Sequence, residues 1–101
     1  MHTNSARFIM ERSVERIAEK ASEIHFQDYD ALSKVLNEFT QLIAHYYDLF
    51  DAGILKNIAS IEVNLRTSRD AVDTIESIKY WENAISELMS VIAMIKKESV
   101  L

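Results

Sequence analysis

Three histidines, sixteen carboxylates and no cysteine make up most of the reactive inventory of this sequence. Without cysteine there are no disulfides, no thiolate metal sites and no thiol nucleophile. His45 and Asp48 stand three residues apart, near enough on a helix to share a metal ion. Two ligands are not a site, since zinc takes three or four from the protein. Glu38 lies seven residues before His45, about 10.5 Å along a helix axis, too far to share that ion. The Glu-x-x-His pairs of carboxylate-bridged di-iron bundles do not occur. His2 and His25 fall at a terminus and in a connection, and His45 reads as a histidine at the edge of a bundle.

Covalent catalysis needs a nucleophile beside a base that a third group orients. The serines here fall mostly at exposed helical positions or caps, and one glycine is too few for a nucleophile elbow or a phosphate-cradling loop. Acid–base chemistry would need two acids facing inward, but the acids lie off the apolar stripes, with Glu82 beside Trp81 the nearest exception. Small helical enzymes such as the chorismate mutases place charged side chains in the interior, whereas the interior positions here are aliphatic. The expectation is therefore a non-enzyme with no catalytic, cofactor-binding or metal-binding residues.

The elements are plainer than the chemistry. Between Asp28 and Gly53 the heptad positions a, d and e read Leu32, Val35, Leu36, Phe39, Leu42, Ile43, Tyr46, Leu49 and Phe50. That is an amphipathic helix with a face wide enough to need several neighbours. A first helix over 5–24 carries Met10, Val14, Ile17, Ala21 and Ile24, with Thr3, Asn4 and Ser5 offering N-cap oxygens. Asp28 or Asp30 caps the second helix over 29–52, and Gly53 reads as its left-handed C-cap. A third helix over 54–66 holds Ile54, Ile58, Ile61 and Leu65; Thr67 and Asp70 resemble a capping box opening a fourth over 69–97. The fourth stripe runs Val72, Ile75, Ile78, Trp81, Ile85, Leu88, Ile92 and Ile95, slipping in heptad phase between Val72 and Ile78.

Two readings fit 54–97: two helices, or one helix of 44 residues, about 66 Å long. The first is preferred, giving an all-α, antiparallel four-helix bundle forming a single domain over 1–101. Scarce glycine and absent proline agree with long helices and few connections. The continuous helix would overhang its neighbours and call for a second subunit.

No run of about 18 apolar residues exists to span a membrane, and Arg7, Glu11 and Arg12 interrupt the start where a signal peptide would be apolar. A cytoplasmic setting is the default expectation. The net charge of −5 disfavours direct nucleic-acid binding. Around the second helix, Asp28, Asp30, Glu38, Asp48 and Asp51 face only Lys34, leaving −4 there and −1 over the rest. This acidic face suits a basic protein partner.

The contact candidates are Phe8 and Ile9, an adjacent apolar pair off the stripe; Tyr47 and Tyr80, off-stripe aromatics; Trp81; and the acidic Asp48 and Asp51. Tyr and Trp are frequent interface anchors and equally frequent core residues, with core packing favoured for Trp81 and Tyr46. Helical-hairpin secretion substrates carry Trp-x-Gly at their central turn, where this chain reads Phe50-Asp51-Ala52-Gly53. Histidine phosphotransfer bundles set Lys and Gly behind their histidine, where Tyr46, Tyr47 and Asp48 follow His45. The functional expectation is a small acidic protein-binding module of the inhibitor, immunity, adaptor or chaperone kind. A homo-oligomeric structural bundle, starting with a homodimer, is the alternative, and a small-molecule or metal-binding bundle ranks third.

Overall fold

A computed structural model describes residues 2–99, and the side chains of residues 6–97. Four α-helices account for nearly all of it: α1 His2–Ser22, α2 Tyr29–His45, α3 Ala52–Asp70 and α4 Thr74–Ser99, with a 3₁₀ turn at Tyr47–Leu49. The described residues contain no strand. Each helix packs on the next, α3 with α4 most extensively, and α1 also meets α4 to close the ring. Short connections make neighbours antiparallel, so the chain runs up, down, up and down. The bundle measures 52 × 24 × 21 Å. No described helix is long and apolar enough to cross a membrane.

The stripes read from the sequence form the core. Met10, Val14, Ile17 and Ala21 meet Leu32, Val35, Leu36, Phe39 and Ile43, and Ile54, Ile58, Ile61 and Leu65 close on Trp81, Leu88, Ile92 and Ile95. Ala84 and Val91 join them from α4, while Leu42, Tyr46, Leu49 and Phe50 pack on the core's edge. The wide face of α2 is covered, as its breadth requires, by α1 on one side and α3 on the other.

The connections differ from the sequence reading in several places. Helix α1 already includes residues 3–5, so Thr3, Asn4 and Ser5 do not precede it as caps; the side chains of residues 2–5 lie outside the described ones. At the first turn Asp28 caps α2, its Oδ1 accepting from the Ala31 amide at 3.1 Å. The left-handed residue there is Gln27, with φ of 59°.

Gly53 is not a C-cap. It has no positive φ and sits in the first turn of α3, its amide donating to Oδ1 of the N-cap Asp51 at 2.9 Å. The second helix ends seven residues earlier than expected, at His45, because the chain tightens into the 3₁₀ turn.

Residues 54–97 form two helices, but the break falls at 71–73 rather than 67–68. Thr67 does not cap forward; its hydroxyl donates back to the Val63 carbonyl at 2.8 Å, inside α3. The cap is Asp73, whose Oδ1 accepts from the Ile75 amide at 3.1 Å and whose carbonyl accepts from Ser77 at 2.9 Å. Val72 and Ile75 accordingly leave the stripe and stand exposed.

A partly buried polar cluster around the buried Ser68 pins this end of the bundle. The Ser68 hydroxyl donates to the Ser77 carbonyl at 2.6 Å and the Ser77 hydroxyl to the Ser68 carbonyl at 2.8 Å. With those protons committed, Tyr29 donates to Ser68 Oγ at 2.9 Å and Gln27 Nε2 to Ser77 Oγ at 2.9 Å. Each donor is used once, and Ser77 satisfies one of the carbonyls that the end of α3 leaves unpaired. The first and third connections thus lie together at one end. The second lies at the other, beside the start of α1.

Candidate functional site: the acidic aromatic end

The second connection sets an exposed aromatic, Tyr47, beside two carboxylates, Asp48 and Asp51. Tyr46 leaves helical geometry at φ −114°, ψ 36° while its amide still donates to the Leu42 carbonyl. Leu49 then donates to the Tyr46 carbonyl at 2.8 Å, winding the chain more tightly than an α-helix. The tighter turn folds Leu49 and Phe50 onto the core and directs Tyr47 and Asp48 outward. Tyr47 is left 69 % exposed.

A cleft lies on each side of Tyr47. The first, about 280 Å³, is lined by Ile43, Tyr47, Asp48, Phe50, Asp51, Ala52 and Leu55. The second, about 470 Å³, is lined by Ala6, Ala44, His45, Tyr46, Tyr47, Asp48 and Leu49. Tyr47 and Asp48 belong to both, and among the described residues neither cleft is lined by lysine or arginine. The His45 ring stands edge-on to Tyr46 with centroids 4.6 Å apart. Asp51 has one oxygen committed to the cap of α3, which keeps its negative charge at the rim. The arrangement offers an aromatic anchor, apolar walls and carboxylates, the ingredients of a contact surface.

Of the seven contact candidates, Tyr47, Asp48 and Asp51 come together here. Phe8 and Ile9 are exposed on the first turns of α1, at the same end but in neither cleft; the Arg12 guanidinium lies 5.9 Å from the Phe8 ring. Tyr80 and Trp81 lie on the first half of α4, toward the other end. Tyr80 is half-buried, with the Lys79 ammonium 5.9 Å from its ring. Trp81 is only 4 % exposed, edge-on to Tyr29 at 5.3 Å and to Phe26 at 6.3 Å, so it serves the core.

Leu55 completes the first cleft and was not singled out in the sequence, where it sits one residue off the α3 stripe. Phe26, Val72 and Ile75 are exposed apolar residues at the opposite end. The heptad slip between Val72 and Ile78 is the sequence signal of that exposure. Glu38, weighed above beside His45, has both oxygens on Lys20 Nζ at 2.9 and 3.0 Å. Glu82 is exposed. Among the described residues, no three His, Asp or Glu side chains gather as a metal-binding set.

No protein family, curated protein or solved structure matches this chain.

Proposed function

We propose that the protein is a non-catalytic protein-binding module, an inhibitor, immunity, adaptor or chaperone-type bundle, whose partner presents a basic, partly apolar surface. The observation that carries this reading is the exposed Tyr47 standing between two clefts that share Asp48. A tyrosine in this position lends large contact area at little entropic cost, and the carboxylates around it favour a cationic partner. A polyanion such as nucleic acid would meet the net charge of −5 unfavourably. A cytoplasmic setting is part of the same proposal.

Capture from the source cell tests it. Wild-type protein is expected to retain one partner in near-stoichiometric yield, and Tyr47→Ala with Asp48→Lys to lose it while staying folded. A partner that binds the double variant equally well overturns the assignment to this end, and the absence of any stoichiometric partner overturns the reading itself.

A homo-oligomer is the second reading, supported by Phe26, Val72 and Ile75, which leave apolar surface at the far end. Light scattering coupled to chromatography decides it: a strict monomer over a wide concentration range removes it.

A further inference from the structure

We propose that the groove between α2 and α3 is an anion site that takes the phosphate group of a small ligand. The groove encloses about 300 Å³, with Leu36 and Leu65 among its lining residues. Ser33, Lys34 and Asn37 line it from α2, and Glu62, Arg66 and Arg69 from α3. Three cations and one carboxylate line the groove of a protein whose net charge is −5.

The acids one turn away relieve this excess only in part: among the described residues Asp30, one turn before Lys34, forms no ion pair with it, whereas Asp70 pairs with Arg69. Glu38, one turn beyond Lys34, has both oxygens on Lys20 Nζ. Asp70, one turn beyond Arg66, accepts from Arg69 Nε at 3.2 Å and offsets that charge, so the positive surplus rests on Lys34 and Arg66 over Glu62. Lys34 and Arg66 stand on opposite walls of the groove, so like charges face one another across it. An anion between those walls would neutralise the charge that Lys34 and Arg66 leave over Glu62. Arginine presents a planar fork to phosphate oxygens, and Ser33 and Asn37 add neutral donors.

Size and electrostatics select a small ligand. The volume is at the lower limit of small-molecule pockets. The cations act within a few ångströms, whereas the distant carboxylates are screened beyond roughly 8 Å at physiological salt. A long polyanion would extend past the groove onto acidic surface. Neither Tyr47 nor Asp48 takes part, so this site is tested independently of partner capture.

The test is an NMR titration of the full chain with inorganic phosphate, ionic strength being held constant with chloride. Saturable shifts are expected in the amides of residues 33–37 and 62–69 and in the side-chain Nε–H signals of Arg66 and Arg69. Lys34→Gln with Arg66→Gln, both at exposed positions, is expected to weaken binding by about tenfold or more, with the spectrum otherwise native. Arg66→Lys keeps the charge but not the fork and is expected to fall between. Shifts that stay linear, or that spread equally over Arg7, Arg12, Lys56 and Lys79, overturn the site, as does a double variant that titrates like wild type. Succinate binding more tightly than phosphate overturns the assignment of the ligand to phosphate.

Discussion

Ser68 and Ser77 show how much a pair of small polar residues can hold when every proton has a destination. Removing the Ser68 hydroxyl takes away its bond to the Ser77 carbonyl and the nearer of the two acceptors of Tyr29, whose hydroxyl also lies 3.2 Å from Ser77 Oγ. Ser68 is buried, at 1 % exposure, so the groups left behind have little access to water. Ser68→Ala is expected to cost about 1–3 kcal/mol, the penalty for stranding buried polar groups. Tyr29→Phe removes one donor but keeps the ring against Trp81, for about 1 kcal/mol. Urea denaturation read by circular dichroism checks both; equal losses would mean that the tyrosine hydroxyl, rather than the serine pair, organises the cluster. Gly53 is the opposite case. A Cβ there would meet nothing closer than Asp51 Oδ1 at 3.6 Å, and its φ is not positive. Gly53→Ala should therefore raise stability by about 0.4–1 kcal/mol, mainly by restricting the unfolded chain. A loss would reinstate a conformational role for the glycine.

Helices were legible in this sequence where a wide stripe had to be covered, and their ends were legible only where one residue had one use. The α2 face predicted its own burial from Leu32 to Ile43, because no register other than the observed one hides Phe39 and Leu36 together. Gly53 misled because glycine after a periodic run is the usual helix stop, while here the chain leaves α2 earlier through the 3₁₀ turn at Tyr47–Leu49 and Asp51 caps the next helix. The α3–α4 junction misled because Thr67 and Asp73 are both competent caps; the choice fell to the tertiary Ser68–Ser77 pairing, which sequence spacing does not reveal. The candidate site was legible as residue types, Tyr47 with Asp48 and Asp51, but not as two clefts, since Leu55 and Ala6 reach it only through the fold. The corrected junction carries its own prediction. As members of a core stripe, Val72 and Ile75 would each cost about 2–5 kcal/mol on truncation. As exposed residues they should tolerate Val72→Ser and Ile75→Ser within about 0.5 kcal/mol. Thermal unfolding of the two variants separates these outcomes by several degrees.

The whole molecule divides its surface by character. One end is acidic and aromatic, the other carries Phe26, Val72 and Ile75, and a cationic groove lies between α2 and α3. If the acidic end meets a basic partner, its carboxylates should act chiefly on the rate of encounter, because rim charges steer diffusion and are screened by salt. Asp48 and Asp51 allow that effect to be isolated. Asp48 has no cap to supply, so Asp48→Asn removes charge alone. Asp51 caps α3, but asparagine caps as well as aspartate, so Asp51→Asn removes charge while keeping the helix start. The double variant should match wild-type stability and associate about tenfold more slowly at low salt, the two rates converging as ionic strength rises. Dissociation should change little, since it reports the Tyr47 contact. Stopped-flow measurement across a salt series checks this against the captured partner. An association rate indifferent to both substitutions would mean that the partner is not drawn by charge, and the acidic end would then have to be assigned to solubility.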